Sequence, residues 1–395
     1  MTPRRLRIAM NGVTGRMGRT QHLARSILAI RDEGGVTLAD GTVVVPEPVL
    51  LGRDPDRLRA LAERSGVRDW STDVAGCLAD ESIEVYFDAQ VTARRVDAVR
   101  AAIDAGKHVY CEKPLAEHSA EAADLADRAR RAGVKHGVVA DKLYLPGVMS
   151  LVGLVESGFF GRLLTIRGEF GYWVFEGHDA VPQRPSWNYR AADGGSIVTD
   201  MLCHWEYLVA ALAGRVTRVF CHGATHVPRR VDERGREYQC TADDAAYAMF
   251  ETERGVVVQI NSSWAVRVHR EELLELQLDG TAGSAVGGLW TCRVQPRALT
   301  PRAVWNPDEP DPLDHRAGWM PVPRQEPAGS PPPNAFRAQW ERFLAHVVGD
   351  EPYELGFDGG TRGVRLAELG MRSWREGRWI DVPPGGPAPD DGGSR

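Results

Sequence analysis

The order of apolar and polar residues over the first 140 positions predicts strands that alternate with helices. Short apolar runs predict strands, and apolar residues spaced three and four positions apart predict helices. The predicted strands are 6–10, 49–51, 84–89, 108–111 and 135–140, and the predicted helices are 20–30, 56–64, 94–105 and 120–132. Such alternation with short connections predicts a doubly wound parallel sheet. Residues 32–48 are long for a connection and predict a surface excursion.

Beyond residue 150 the pattern changes, because predicted strands follow one another with a single helix, 196–212, after the first of them. These strands are 163–175, 216–222, 245–252, 256–265, 273–278 and 284–291. Strands without intervening helices form mostly antiparallel sheets, so this half predicts a separate α+β domain. Ten prolines within residues 301–333 predict a long irregular loop, and two helices, 336–348 and 361–374, end the fold.

The predicted organisation is therefore an α/β domain over residues 1–145, an α+β domain over residues 146–382 and a disordered tail over residues 383–395. A chain of 395 residues has the length of two domains. The tail is rich in proline, glycine and aspartate and lacks apolar residues that could anchor it.

Composition excludes several classes of protein. Hydrophobic residues make up 43% of the chain and charged residues 26%, which is typical of a globular protein and excludes disorder as its main character. No apolar run approaches the roughly 20 residues of a membrane-spanning helix. A net charge of −6 gives no basic surface for nucleic acid. Six cysteines without a CxxC pair predict no metal cage and indicate a reduced, cytoplasmic protein.

Lysine is rare in this chain, which makes each lysine informative. Of 48 basic residues only four are lysines, namely Lys107, Lys113, Lys135 and Lys142. A lysine retained among arginines suggests a position that needs a compact, titratable ammonium. Lys113 follows the predicted strand 108–111 and precedes Pro114, and ligands collect at the carboxyl ends of parallel strands. It is therefore a candidate to bind a substrate oxygen, and the alternative is a surface lysine beside a turn.

A glycine-rich turn joins the first strand to the first helix. Its spacing is GxxGxxG, because Val13 stands where a glycine is common. At this position a turn lets the backbone approach a pyrophosphate, which binds at the helix N-terminus. The alternative is a tight turn that binds nothing. The predicted cofactor contacts are Gly12, Thr14, Gly15, Arg16, Met17 and Gly18.

Asp200 and His204 lie four residues apart on the predicted helix 196–212, for which Ser196 is the expected N-cap. They therefore share one helix face. A histidine oriented by an aspartate is a usable general base near neutral pH. The alternative is an ordinary helix pair, and no further ligand spacing predicts a metal site.

Three ordered motifs resemble the Gfo/Idh/MocA family of NAD(P)-dependent oxidoreductases. They are the glycine turn, residues 105–115 (AGKHVYCEKPL, like the family's "aGkhV..EKP") and residues 194–204 (like the family's "GG...D...H"). The resemblance covers most of residues 5–382. It implies a Rossmann domain, a second domain for substrate binding and oligomerisation, and catalytic positions at Lys113, Asp200 and His204. It also implies that Glu112 and Lys113 contact the cofactor.

Members of this family commonly oxidise sugars, inositols or related polyols, or run the reverse reduction. The resemblance thus implies hydride transfer between a nicotinamide and a secondary alcohol or ketone. His204 is the expected base with Asp200 as its partner, and Lys113 stabilises the reacting oxygen; Lys113 as the base remains open. The alternatives are a glycosidase of the same fold that oxidises its sugar transiently, and a catalytically idle nucleotide-binding regulator.

Further residues are candidates for substrate binding. Lys142 follows the strand 135–140, and the equal alternative is a structural salt bridge to Asp141 or to another acid. Aromatic and guanidinium groups in the loop just before the helix 196–212 suit a sugar ring or an acidic substrate group, unless the loop packs on its own sheet. The loop residues are Arg184, Trp187 and Tyr189.

The cofactor and the assembly state are also predicted. An acid after the second strand normally binds the ribose hydroxyls of NAD, but Gly52 and Arg53 occupy this position. Arginine can grip a phosphate, so a slight preference for NADP over NAD is predicted, and Asp54 is the counter-argument. The aromatic-rich second domain with its long sheet predicts a homo-oligomer, a dimer or tetramer, with a small-molecule sugar or polyol as substrate.

Overall fold

The computed structural model describes residues 3–175, 182–303, 308, 313–323 and 334–384, and these form two compact units. The first unit contains residues 3–144 and 334–365, and the second contains residues 145–323 and 366–384. The first boundary between the units lies between Tyr144 and Leu145. Residues 334–365 differ, because they belong to the first unit and not to the second. From residue 385 onward, the predicted tail lies outside the described residues.

The first unit is built on a parallel sheet, which confirms the predicted Rossmann-like fold. Its strands are β1 (Arg4–Asn11), β2 (Val36–Thr37), β3 (Val43–Leu51), β4 (Trp70–Ser71), β5 (Ile83–Asp88), β6 (His108–Cys111) and β7 (His136–Val138). They lie in the order β2-β3-β1-β5-β6-β7, with β4 beside β3. Among these described strands only the β2–β3 pair is antiparallel.

The helices of the first unit cover this sheet. A π-type helix, Gly18–Leu28, follows β1, and the other helices are Ala29–Asp32, Pro55–Ser65, Val74–Ala79, Thr92–Asp104, Ser119–Ala132, Ala335–Gly349 and the first part of Phe357–Glu376. A short 3-10 turn, Asp141–Tyr144, follows β7.

The predicted surface excursion over residues 32–48 is wrong for residues 43–48, because these begin β3, which pairs with β2 and buries Val44 completely; most of residues 32–41 are exposed. Pro46 and Pro48 concealed this strand in the sequence. They are tolerated because β2 pairs only with the start of β3 and β4 only with its last two residues. The edge of β3 that faces away from β1 thus has no partner strand at Pro46 and Pro48, the two residues that lack an N–H donor.

The helix Ala335–Gly349 joins the first unit through an aromatic cluster. Trp340 is fully buried, with its ring centroid 5.1 Å from that of Phe87 and 4.5 Å from that of Tyr110. Its neighbours Phe343 and Leu344 are buried in the same core. Aromatic rings bury large areas and dominate the energetics of such a core. This packing explains why a segment distant in sequence belongs with the Rossmann sheet.

The second unit contains a large, mostly antiparallel sheet, as predicted. The strands of this unit are β8 (Leu163–Gly171), β9 (Val216–Ala224), β10 (Arg229–Val231), β11 (Glu237–Gln239), β12 (Ala245–Thr252), β13 (Val257–Ser263), β14 (Leu274–Gly280), β15 (Gly283–Gly288), β16 (Cys292–Pro296), β17 (Met320–Pro321) and β18 (Ile380–Asp381). The large sheet has the order β17-β16-β15-β14-β8-β13-β12-β9-β18, in which β8 and β13 are parallel. Strands β10 and β11 form a separate hairpin.

Helices cover one face of the second sheet. They are Pro146–Glu156, Ile197–Ala213 and the last part of Phe357–Glu376, and the 3-10 turns Ser186–Tyr189, Ala191–Asp193 and Arg297–Leu299 complete the unit. Among all described residues, no helix has the length and apolar character needed to cross a membrane.

Acidification is expected to destabilise the first unit through two half-buried histidines, His108 and His136. The Nδ1 atom of His136 accepts a hydrogen bond from the Phe357 backbone N–H at 3.0 Å, and that of His108 accepts one from Lys135 N–H at 2.9 Å. Burial lowers the pKa of both imidazoles, because it disfavours the charged form. The unfolded chain therefore binds protons first as the pH falls below the ordinary histidine pKa, and stability is lost in that range.

The measurement is the melting temperature between pH 8 and pH 5. It should fall at the acid end, and His136→Asn, whose amide oxygen can accept the Phe357 N–H without titrating, should make the fall shallower. An identical pH dependence in wild type and variant would contradict the role of His136.

Candidate active site

The turn after β1 approaches the turn after β5 so closely that one glycine is obligatory. Gly12 has φ +83°, and a Cβ there would lie 2.5 Å from the carbonyl carbon and oxygen of Ala89. A Cβ at Gly18 would lie 2.7 Å from the Gly12 oxygen. Gly15 differs, because it is exposed and its Cβ would meet nothing nearer than 3.3 Å. The fold itself requires Gly12 and Gly18, whereas Gly15 leaves room for a ligand against the backbone.

The surroundings of this turn fit a dinucleotide. Gly15, Arg16 and Met17 are exposed, Thr14 is half-buried, and the helix Gly18–Leu28 begins directly behind them. The first N–H groups of a helix lack intrahelical partners and favour an anion. The turn thus offers exposed backbone and the Arg16 charge to a pyrophosphate.

Beside the glycine turn, the end of β3 presents arginines instead of an acid. Arg53 is exposed, and the Arg57 guanidinium reaches the Thr14 carbonyl oxygen at 3.5 Å. Asp54 caps the helix Pro55–Ser65: its Oδ1 accepts the N–H groups of Asp56 and Arg57 at 3.1 and 3.0 Å. Arg57 was not among the predicted residues, because only the fold brings its helix position to the turn.

A buried network holds Lys113 at the end of β6. The Glu112 carboxylate accepts the Lys113 backbone N–H at its Oε2 (3.1 Å), and its Oε1 lies 2.8 Å from His22 Nε2. Trp340 Nε1–H donates to His22 Nδ1 at 3.0 Å. Burial by itself raises the pKa of the Glu112 carboxyl, but the His22 hydrogen bond and the charges of Lys113 and Arg95 outweigh it and lower this pKa. Sequence reasoning missed His22, which carries no motif of its own.

A second buried group anchors the other side of the Lys113 turn. The Asp88 carboxylate at the end of β5 is fully buried and accepts Arg95 Nε–H at 3.2 Å. Arg95 also donates to the Pro114 carbonyl, and to the Gln90 carbonyl at 2.7 Å. The turn after β5 is thus tied to the peptide that follows Lys113.

Lys142 remains compatible with both of its sequence interpretations. It lies in the 3-10 turn after β7, half-buried, with its Nζ 3.9 Å from Asp141 Oδ1. This distance makes a loose ion pair. The described residues contain no cluster of three or more His, Cys, Asp or Glu side chains that could hold a metal.

The helix Ile197–Ala213 is fixed at its start by buried groups. Ser196 Oγ caps it by accepting Thr199 N–H at 3.2 Å, and donates to Asp243 Oδ2 at 3.0 Å. The same Asp243 oxygen accepts Val198 N–H at 2.8 Å. Burial raises the pKa of the Asp243 carboxyl although these donors favour its ionised form. Asp243, which the sequence did not single out, thus holds the start of the helix that carries Asp200 and His204.

Asp200 and His204 each have a defined neighbour in the second unit. Asp200 Oδ2 lies 3.3 Å from Arg184 Nη2, and the buried His204 has its Nδ1 2.6 Å from the Tyr207 hydroxyl. If Nδ1–H donates to Tyr207, the Nε2 atom of His204 carries a lone pair that can accept a proton. Tyr207, which sequence reasoning missed, lies one turn further along the helix.

Of the predicted substrate loop, two residues suit the assignment and one does not. The Arg184 guanidinium stacks 3.8 Å from the Trp264 ring centroid while it pairs with Asp200, and Trp187 is half exposed. Tyr189 is fully buried, with the Arg230 guanidinium 3.9 Å from its ring centroid. The expected substrate contact of Tyr189 is therefore corrected: its ring packs inside the unit and supports the loop.

Comparison with protein families gives two adjoining matches. Residues 6–139 match the family model described as "Oxidoreductase family, NAD-binding Rossmann fold", and residues 148–286 match the GFO/IDH/MocA C-terminal domain. Together the two models span more than half of the chain.

Several of the relatives are sugar dehydrogenases. The chain is 53% identical to a D-xylose dehydrogenase of Paenarthrobacter nicotinovorans over 96% of this chain and 97% of the relative. It is 24% identical to a levoglucosan dehydrogenase of Pseudarthrobacter phenanthrenivorans over 60% of this chain and 64% of the relative. A solved structure of levoglucosan dehydrogenase in complex with NADH and levoglucosan shares the fold, with a TM-score of 0.79 and 22% identity over 96% of this chain and 100% of that one.

Proposed function

This chain belongs to the Gfo/Idh/MocA family of NAD-binding oxidoreductases, and we propose that it is an NAD(P)-dependent dehydrogenase of an aldose, with D-xylose as the first substrate to test. The observation that carries the proposal is the arrangement along one edge of the Rossmann sheet. There a turn with an exposed Gly15 follows β1, and the anchored Lys113 follows β6. Full-length similarity to a D-xylose dehydrogenase supports the substrate class.

The proposed reaction oxidises a secondary hydroxyl group of the sugar. The bound nicotinamide supplies the hydride acceptor. The C–H bond of the carbinol carbon breaks as its electron pair leaves with the hydrogen, and the O–H proton passes to a base, which yields a carbonyl group. Lys113 and His204 are the two candidate bases. Whichever of them does not take the proton stabilises the negative charge that develops on the substrate oxygen. Asp200 holds Arg184, which with the exposed Trp187 suits binding of the sugar ring and its hydroxyl groups.

The test is a cofactor-reduction assay against aldoses, inositols and other polyols with NAD and with NADP. We expect stoichiometric release of reduced cofactor with D-xylose or a close aldose. A glycosidase that oxidises its sugar transiently gives glycoside cleavage without net reduction, and an idle regulator gives neither product. Either outcome would contradict the proposal.

We further propose a preference for NADP over NAD, supported by the positive charges near the end of β3. Exposed Arg53, Arg57 beside the glycine turn and exposed Arg16 suit a 2′-phosphate, whereas Asp54 is engaged in capping a helix. Arg53→Ala and Arg57→Ala are each expected to raise KM for NADP about tenfold, with little change for NAD, since each removes a charge-assisted contact.

The matched control is Arg59→Ala on the same helix, where Arg59 pairs with Asp56. Steady-state kinetics with both cofactors make the measurement. Equal losses for NAD and NADP in the Arg53 and Arg57 variants would show that these arginines do not select the phosphate.

We also propose that the protein is cytoplasmic, with its cysteines reduced. We further propose that the chain forms a homo-oligomer through the sheet of the second unit. Tyr247, Met249 and Val257 project from β12 and β13 with exposures of 40%, 37% and 42%. Adjacent exposed apolar side chains on an open sheet face favour a partner surface. Light scattering at micromolar concentration should give at least the dimer mass, and Tyr247→Glu with Met249→Glu should lower it. A monomeric wild type would refute this assembly.

A further inference from the structure

The environment of His22 fixes which of its nitrogens carries the proton. Trp340 Nε1–H can only donate, and it points to His22 Nδ1 at 3.0 Å. The Nδ1 atom must therefore offer a lone pair, and the proton of the neutral ring lies on Nε2. That nitrogen lies 2.8 Å from Glu112 Oε1, so His22 donates to the carboxylate. His22 is fully buried.

The Glu112 carboxylate connects His22 to Lys113 through hydrogen bonds. One oxygen accepts from His22 and the other accepts the Lys113 backbone N–H. The Glu112 backbone N–H donates to the Asp88 carbonyl at 2.8 Å, so the residue is held by backbone and side chain alike. On the other side of Lys113, the Pro114 carbonyl accepts from Arg95. The backbone from which the lysine side chain extends is thus fixed on both sides.

We propose that Trp340, His22 and Glu112 form a positioning relay that sets the direction of the Lys113 ammonium for the reaction. The proposal rests on the proposed function. It gives Glu112 the role of a support for Lys113, in place of the cofactor contact that the family resemblance implied. His22 and Trp340 become positioning residues, which touch neither substrate nor cofactor in this assignment.

A matched pair of variants separates this relay from simple packing. In His22→Gln the amide nitrogen can occupy the place of Nε2 and donate to Glu112. In His22→Asn the shorter side chain places its amide near Nδ1 and leaves Glu112 Oε1 without this donor. We expect kcat of the glutamine variant within about threefold of wild type and that of the asparagine variant lower by about tenfold or more, because small misplacements of a reacting group are amplified in rate.

Two further measurements distinguish the relay from an effect of the His22 variants on folding or on cofactor binding. KM for the cofactor should stay near the wild-type value in both variants, because the relay orients Lys113 and not the dinucleotide. Phe336→Leu removes a ring whose centroid lies 5.1 Å from that of His22 without touching the hydrogen bonds, and should lower the melting temperature while kcat is kept. Equal kcat in the two His22 variants, or a rise in cofactor KM as the main effect, would overturn the relay.

A readout independent of turnover separates this inference from the proposed function. The ¹⁵N chemical shifts of the imidazoles, with His22→Gln used to assign the His22 signals, report its tautomer in the ligand-free protein. We expect the neutral form with the proton on Nε2. The opposite tautomer would refute the relay whatever the substrate is, whereas the expected tautomer in an enzyme that oxidises no sugar would refute only the proposed function.

Discussion

Lys113→Arg is expected to lower kcat nearly as far as Lys113→Ala, by about 10²–10⁴-fold in both variants, as expected for loss of a positioned acid–base or charge-stabilising group. Arginine keeps the charge, but its planar guanidinium is bulkier and does not deprotonate at accessible pH. At Lys113 the backbone is held by Glu112 on one side and by Arg95 on the other, so it cannot shift to fit a longer side chain.

The measurement is steady-state kinetics of both variants, with cofactor binding followed by fluorescence. A matched control is Lys135→Arg, a lysine of the same unit that pairs with Asp350 away from the carboxyl ends of the strands. This control should retain wild-type kcat. Turnover of Lys113→Arg at the wild-type rate would remove Lys113 from the mechanism.

Arg95→Met is expected to destabilise the protein by about 3–5 kcal/mol, because it leaves the Asp88 carboxylate buried without its cation. Both side chains of the pair are almost completely shielded from solvent, at 2% and 0% exposure. The variant also releases the Pro114 and Gln90 carbonyls that Arg95 holds. We therefore expect the folded fraction of this variant to show a reduced kcat as well.

Chemical denaturation measures the loss, and the double variant Asp88→Asn with Arg95→Met is the control. Removing the buried charge should restore a large part of the stability, although the carbonyl contacts stay lost. If the single variant were as stable as wild type, Asp88 would have found another partner, and the pair could not be the anchor described above.

The local pattern of the sequence was sufficient for the elements on which the site is built. The strand His108–Cys111 and the helix Ile197–Ala213 lie within one residue of their predicted bounds, because each has a continuous apolar pattern with clear end signals. Lys113, the glycine turn and the Ser196 cap could be identified for the same reason: their chemistry lies within a few consecutive residues.

What the sequence by itself determined is therefore the two-part fold and the family, and it predicted the motif-borne residues Lys113, Asp200 and His204. Only the tertiary structure decided which distant residues complete their surroundings. Trp340 is 318 positions from His22 and contacts it only because an aromatic helix face needs burial against the Rossmann core. Tyr189, which resembles a sugar-binding residue in sequence, is buried because Arg230 and Trp264 pack on its ring. Burial and contacts between distant segments depend on how whole elements pack, and a local pattern of residues does not encode them.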